Sequence, residues 1–244
     1  LKERLKPSFR AKQVYNWLYK KYANSYDDMK NLPKELIEDL KTNYPIDILK
    51  VVKKEQSRDG SIKYLFKLRD NHTIEAVLLL MKDKKIDEDG QIVRSEKYTV
   101  CISSQVGCKV GCSFCLTARG GFVRNLTVGE YIAQIVHIKR DNEIAENKAL
   151  NIVYMGMGEP LDNFDNFVKA VEIFSELDGL AISRRRQTVS TSGIASKIKK
   201  LGIKDLQIQL AISLHAVDDE LRSELIPMNK AYNIASIIDA VKEF

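Results

Sequence analysis

Four cysteines in 244 residues are too few for a disulfide scaffold of this length. Long hydrophobic runs are also missing. The longest, Ala76–Met81, falls far short of the roughly 20 residues that a membrane-spanning helix needs. The first residues, Leu1-Lys2-Glu3-Arg4-Leu5-Lys6, have no apolar stretch of the kind a secretory signal requires. A cytoplasmic protein with no membrane attachment is therefore expected. There is no internal repeat and no low-complexity tract. Neither sign of charge dominates: 39 Lys and Arg stand against 33 Asp and Glu, a formal excess of +6. That mild basic excess permits an anionic partner without demanding one. Hydrophobic residues at 44% and charged residues at 30% exclude general disorder. The length suits one or two domains with a real buried core.

What charge there is sits unevenly. Lys2, Arg4, Lys6, Arg10, Lys12, Lys20 and Lys21 face Glu3 alone in the first 24 residues, an excess equal to that of the whole chain. Val14, Trp17 and Leu18 follow helical spacing, so this stretch reads as a basic amphipathic helix with Trp17 on its apolar face. Leu36, Ile37 and Leu40 predict a second helix after Pro33. A basic helical accessory domain is placed at 1–48. The period then changes. Ile62, Tyr64, Phe66 and Leu68 alternate as a strand, and Asp59-Gly60 before them is a hairpin turn. Ile74–Met81 and Tyr98–Ser103 read as further strands, with the charged segment Lys82–Gly90 as an exposed loop. A β extension is assigned to 49–95 and a core to 96–244.

Beyond the cysteines, strands and helices alternate. Thr127-Val128-Gly129-Glu130 forms a capping box for a helix carrying Ile132, Ile135 and Val136. Asn151–Met155, Gln187–Ser190 and Gln207–Ser213 read as strands. Helices are predicted around Phe167, Val171 and Phe174, near Asp218–Leu225, and along Ile234, Ile237, Ile238 and Val241. Repeated strand–helix units imply an α/β fold with a parallel sheet, open or curled into a partial barrel.

Three of the four cysteines, Cys108, Cys112 and Cys115, lie within eight residues, in a stretch interrupted by Gly107 and Gly111. Clustered thiols without an export signal point to metal or catalytic chemistry in a reducing compartment. Structural zinc and all-cysteine iron–sulfur sites both need a fourth ligand. None of the three histidines supplies one obviously, and Cys101 reaches the loop only if the chain folds back. A cubane held by three cysteines, with one iron open to substrate, fits the spacing better. Glu75, inside an apolar strand run, is costly unless paired or functional, and burial would raise its pKa toward that of a useful base.

Cys-x3-Cys-x2-Cys is the signature of radical S-adenosylmethionine (SAM) enzymes. More closely, Cys101-Ile102-Ser103-Ser104-Gln105-Val106-Gly107-Cys108 and Gly121-Phe122-Val123-Arg124-Asn125-Leu126-Thr127 resemble the RlmN/Cfr family of RNA adenine methyltransferases. Met155-Gly156-Met157-Gly158-Glu159-Pro160-Leu161, Ser190-Thr191-Ser192-Gly193 and Ser213-Leu214-His215-Ala216 extend the resemblance over nearly the whole chain.

The resemblance implies a partial (βα)6 radical SAM barrel, incomplete here. It implies a [4Fe–4S] cluster on Cys108, Cys112 and Cys115 that binds the amino and carboxylate groups of SAM. Gly158, Glu159, Ser190, Ser213, Leu214 and His215 match SAM contacts. Glycines would let the backbone approach the ligand, and the Glu159 carboxylate could receive its ammonium. Glu75 matches a proton acceptor, and Cys101 matches the cysteine that resolves a covalent enzyme–RNA adduct through a transient disulfide. The methyl-carrying cysteine of the family matches none of the four, so the chain is expected to lack a C-terminal portion. On that expectation it holds the cluster but does not complete methyl transfer.

Further implications are 23S ribosomal RNA and tRNA as substrates, methylated at C2 of adenine, and an external electron donor such as a flavodoxin-type reductant. A monomer is expected. Arg184-Arg185-Arg186, Lys197, Lys199 and Lys200 are candidate phosphate contacts, and Arg124 is placed at the entrance for the adenine. Two alternatives stay open: C8 methylation of the Cfr type, and a zinc-stabilised RNA-binding module without catalysis.

Overall fold

Helical spacing near the N-terminus produces two helices with a small core of their own. The computed structural model describes residues 5–46, 48–82, 85–87, 89, 91–94, 96–146 and 148–244. Lys2, Glu3 and Arg4 of the basic stretch, and Asp83, Lys84, Glu88 and Gly90 of the charged loop, lie outside the described residues. Helices α1 (Phe9–Tyr19) and α2 (Lys34–Asn43) enclose Ala11, Val14, Tyr26, Met29, Leu32 and Leu40. Trp17 is only partly buried against this cluster. Its indole N–H donates to Asn31 Oδ1 at 2.6 Å, and the Lys21 ammonium lies 3.9 Å from its ring centre.

Three antiparallel strands follow, β1 (Leu49–Gln56), β2 (Ile62–Leu68) and β3 (Thr73–Lys82). β1 carries no alternating apolar face, because Lys50 to Gln56 are exposed along a sheet edge. The β1–β2 turn closes through Ser57 N–H to the Ser61 carbonyl, with Gly60 at φ +82°. Part of the predicted charged loop instead forms a short antiparallel pair, β4 (Lys85–Ile86) with β5 (Ile92–Arg94). β6 (Lys97–Cys101) then pairs antiparallel with β3 and starts the parallel part of the sheet.

Between β6 and the next long strand lie β7 (Gln105–Gly107), α3 (Leu116–Arg119), β8 (Phe122–Asn125) and α4 (Val128–Asp141). The chain continues as β9 (Leu150–Tyr154), α5 (Phe164–Ser175), β10 (Gln187–Thr191), α6 (Ala195–Lys204), β11 (Gln209–Ile212), α7 (Asp219–Leu225) and α8 (Ile234–Lys242). The sheet order is β1-β2-β3-β6-β9-β10-β11. β6, β9, β10 and β11 are mutually parallel, as strands joined by helical crossovers must be. Four of the six strand–helix units implied by the resemblance are therefore seen. The capping box forms in full: Thr127 Oγ1 accepts from Glu130 N–H, and the Glu130 carboxylate accepts from Thr127 N–H.

One face of the sheet is the core. Ile74, Ala76, Leu78, Val100, Ile152, Tyr154 and Val189 pack against Tyr131, Ile135, Phe167, Val171, Phe174, Ile198 and Leu201 of the crossover helices. Each such side chain stabilises the fold by roughly 1.5–3 kcal/mol through burial. The other face is left half-open. Register lines up Val77, Cys101, Val153, Thr188 and Gln209 across five strands on that side. Glu75, two residues from Val77, shares it.

Arg124 does not stand free at an entrance. Its Nε donates to Asp70 Oδ2 at 2.6 Å, and its two terminal nitrogens donate to the Glu130 carboxylate at 2.9 and 2.8 Å. The guanidinium thus ties the β2–β3 turn to the cap of α4. That bond holds the Asp70 carboxyl down at about 2, from an ordinary 3.8. A carboxylate with a depressed pKa stabilises the fold above its ordinary value and loses that contribution as pH falls through the folded value. Asp70→Asn should therefore lower the thermal midpoint at pH 6, with the gap to wild type closing between pH 4 and 2. A gap constant with pH would show that the pair contributes nothing.

Candidate active site

The cysteine loop hangs from a clamp. β7 and β8 pair antiparallel through Gln105–Asn125 and Val106–Arg124, so residues 108 to 121 leave and return at one point. Cys108 N–H donates to the Gly121 carbonyl at 3.0 Å. Inside the loop, Cys115 N–H donates to the Cys112 carbonyl at 3.1 Å, and α3 begins directly after Cys115. Gly107 and Gly111, at φ +76° and +75°, provide the left-handed turns that β-carbons resist.

All three thiols open onto one cavity of about 330 Å³ at the C-terminal ends of β9, β10 and β11. Gly158, Glu159, Ser190, Ser213 and His215 line it too, so residues up to 107 positions apart in the chain meet there. Leu214 is not part of the lining. Phe114 and His215 form a ring pair with centres 4.8 Å apart over the cavity, and His215 holds φ +62°, an uncommon conformation for histidine. The Ser190 and Ser213 hydroxyls lie 3.0 Å apart. Burial raises the Cys108 thiol to about 11 and pushes Cys112 up as well, so ligation must release protons.

The missing side chain of Gly158 leaves room for neighbouring side chains: a Cβ there would stand 2.5 Å from Gln105 Cβ and 2.7 Å from Ser104 Oγ. Glu159 is 4% exposed and already engaged. Its Oε1 accepts from Leu161 N–H at 3.0 Å, and its Oε2 accepts from Ser192 N–H and Oγ at 2.7 and 2.8 Å. Burial raises its pKa against the pull of those donors.

Glu75 and Cys101 stand outside the cavity lining, on the half-open face of β3 and β6. Glu75 is not buried as expected: its side chain is 42% exposed and pairs with Lys63 at 2.7 Å. Cys101 is half-buried beside the Met155 backbone, and burial raises its thiol pKa. Met155 itself lines the cavity, so Cys101 flanks the site. All four cysteines are free thiols in this structure. Of the candidate phosphate contacts, Lys199 pairs with Glu243 at 2.6 Å and Lys200 with Asp165 at 3.5 Å.

The donor set can be compared with what each metal needs. Among the described residues, no three His, Cys, Asp or Glu side chains converge closely enough for a single ion. A lone zinc needs four ligands on one centre, whereas three cysteines of a cubane each take a different iron. The arrangement fits the cluster.

Comparison with known proteins agrees. The Radical SAM superfamily model matches residues 102–244, and the ribosomal RNA large subunit methyltransferase N-terminal domain model matches residues 2–46. The dual-specificity RNA methyltransferase RlmN of Aliarcobacter butzleri is 93% identical over all 244 residues, which span 68% of that protein. The chain belongs to the RlmN family. The Sulfurimonas denitrificans member is 63% identical over the same span, again 68% of its length. A crystal structure of a radical SAM methyltransferase from Sphaerobacter thermophilus superposes with a TM-score of 0.86 at 43% identity. That match covers 97% of this chain and 67% of the other. Membership of the RlmN family implies a [4Fe–4S] cluster and SAM in this site.

The sequence reading passed over Gln105 and Ser192 as individual site residues. Gln105 is fully buried: its Nε2 donates to Asn125 and Asp162, both at 2.8 Å, and its Oε1 accepts from Glu159 N–H at 2.9 Å. It joins the cysteine clamp to the 158–162 loop. A glutamine between a serine and a valine carries no local signal of such a role.

Proposed function

We propose that this chain carries the catalytic core of a methyltransferase acting at C2 of an adenine in 23S ribosomal RNA and of an adenine beside the tRNA anticodon. One observation carries the reading: Cys108, Cys112 and Cys115 share one cavity with Glu159, Ser190 and Ser213. Relatives named as dual-specificity RNA methyltransferases support RNA substrates.

Cys108, Cys112 and Cys115 would hold the cluster, and the amino and carboxylate groups of SAM would bind beside them. When bound, the cluster supplies one-electron reductive cleavage of SAM, chemistry the protein positions but does not itself perform. The Gly158 backbone, Ser190, Ser213, Leu214 and His215 orient the methionyl end and the ribose. Glu159 keeps one acceptor direction on Oε1 for the SAM ammonium. Glu75 takes the proton from the adenine ring, on a half-open face where RNA can reach it, and Cys101 resolves the enzyme–RNA adduct. The electron comes from a flavodoxin-type donor, and the protein works as a cytoplasmic monomer. Residues 1–48 form the RNA-binding accessory domain, 49–95 the β extension and 96–244 the radical SAM core.

Mass spectrometry of RNA from cells lacking the gene tests this. Ribosomal RNA and tRNA should both lose 2-methyladenine and regain it on complementation. A methyl lost from C8, or unchanged RNA, would overturn the reading.

A further inference from the structure

The largest fully buried side chain is a cation. Arg222 on α7 is 1% exposed, yet among the described residues no carboxylate oxygen bonds it. Its Nε donates to the Leu214 carbonyl at 3.1 Å and its Nη2 to the Ser192 carbonyl. Nη1 donates to Asn229 Oδ1 at 2.5 Å and to the Tyr232 carbonyl at 3.5 Å. The nearest acid is reached only through a relay, Asn229 Nδ2 donating to Asp219 Oδ1 at 2.9 Å. Isolating a charge this way is costly unless the fold needs it there.

Its partners explain the need. Leu214 lies between Ser213 and His215, at the end of β11. Ser192 follows the end of β10, and its N–H is already held by Glu159 at 2.7 Å. The peptide at 192 is therefore gripped from both sides, and one guanidinium bridges the two strand ends that carry the cavity's hydroxyls. One helical turn further on, the Leu225 carbonyl accepts from Ser113 N–H at 3.0 Å, between Cys112 and Cys115. Helix α7 thus touches three of the segments that form the cavity: the cysteine loop and the ends of β10 and β11.

We infer that Arg222 is the positioning residue of the SAM-binding face: its fork sets the spacing of the β10 and β11 ends, and its buried charge beside the cysteine loop favours the reduced cluster. The inference rests on the radical SAM reading of the site. A cluster on three thiolates carries net negative charge that grows on reduction, and nearby charge is one of the factors that set its potential. A planar fork can hold two carbonyls at a defined separation, which an ammonium cannot.

Arg222→Lys and Arg222→Met in the anaerobically reconstituted full-length enzyme separate the two effects. The readouts are SAM affinity, the cluster midpoint potential followed by electron paramagnetic resonance, and thermal unfolding. The lysine variant keeps the charge and loses the fork, so SAM affinity should fall about tenfold with the midpoint unchanged. The methionine variant should lose the affinity and also shift the midpoint down by ~59 mV, a tenfold change in a one-electron equilibrium. A lysine variant that binds SAM as well as wild type overturns the positioning role, even if the methionine variant fails to fold. A folded methionine variant with an unchanged midpoint overturns the electrostatic role. A wild-type enzyme holding no cluster overturns the site reading itself, and this inference with it.

Discussion

Cys112→Ala is expected to abolish the iron–sulfur centre. The anaerobically purified variant should lose its brown colour, bind little iron and form no detectable 5′-deoxyadenosine. The expectation follows from the ligand count. Three thiols line the cavity, and the Glu159 carboxylate beside them is already engaged by Leu161 and Ser192. Two thiolates cannot hold three corners of a cubane. The loss should far exceed the roughly 10–100-fold that removal of a supporting partner costs a metal site. Cys101→Ala gives the contrast, because Cys101 lies on β6, outside the cavity lining. That variant should keep full iron content and the visible spectrum while losing methylated RNA. A Cys112→Ala protein with wild-type absorption, or a Cys101→Ala protein without it, would refute the assignment of ligands.

Gly107→Ala should do nearly as much damage without touching a ligand. Gly107 sits at φ +76°, and a Cβ there would overlap the Gly121 carbonyl oxygen. That oxygen accepts the Cys108 N–H, so the intruding methyl pushes on the bond that closes the cysteine loop. The obstacle is backbone on both sides, with no flexible side chain to swing away. A left-handed φ for alanine costs about 1–2 kcal/mol, and forced overpacking adds roughly 1–3 kcal/mol. For a chain of this size that sum lowers the thermal midpoint by about 4–20 °C. Cluster occupancy should fall with it, since Cys108 is the next residue. Gly121→Ala is the control: Gly121 has φ +74°, but nothing lies within 4 Å of its added Cβ. It should show the strain alone, with a smaller midpoint shift and a retained cluster. Equal effects of the two substitutions would assign the loss to backbone strain rather than to the clamp.

Local signals in the sequence were strong wherever the physics is local. The spacing of Val14 and Leu18, the alternation of Ile62 to Leu68 and the Thr127–Glu130 cap each involve neighbours a few residues apart, and each element formed. Strand β1 went unread because an edge strand need not bury either face. In helix α6 the helical period of Ile194, Ile198 and Leu201 is interleaved with a cluster of lysines, which masks it. The charged segment after β3 reads as a loop, yet part of it pairs, since a two-residue strand leaves no period.

The site divides along the same line. The sequence by itself determined the chemistry: three cysteines at a spacing suited to a cluster, in the order and company of an RNA methyltransferase family. Tertiary structure alone decided how the supporting side chains are used. Glu75 became a half-exposed partner of Lys63, Arg124 an ion-pair tie, Glu159 a loop anchor, and Arg222 a buried bridge between strand ends. The reason is distance along the chain. A motif records residues that act together because they are adjacent. The carboxylate–peptide–guanidinium grip on Ser192 joins residues 30 and 33 positions away from it, and Ser113 meets Leu225 across 112 positions. Such pairings follow from sheet register and helix packing, which no short window of sequence contains.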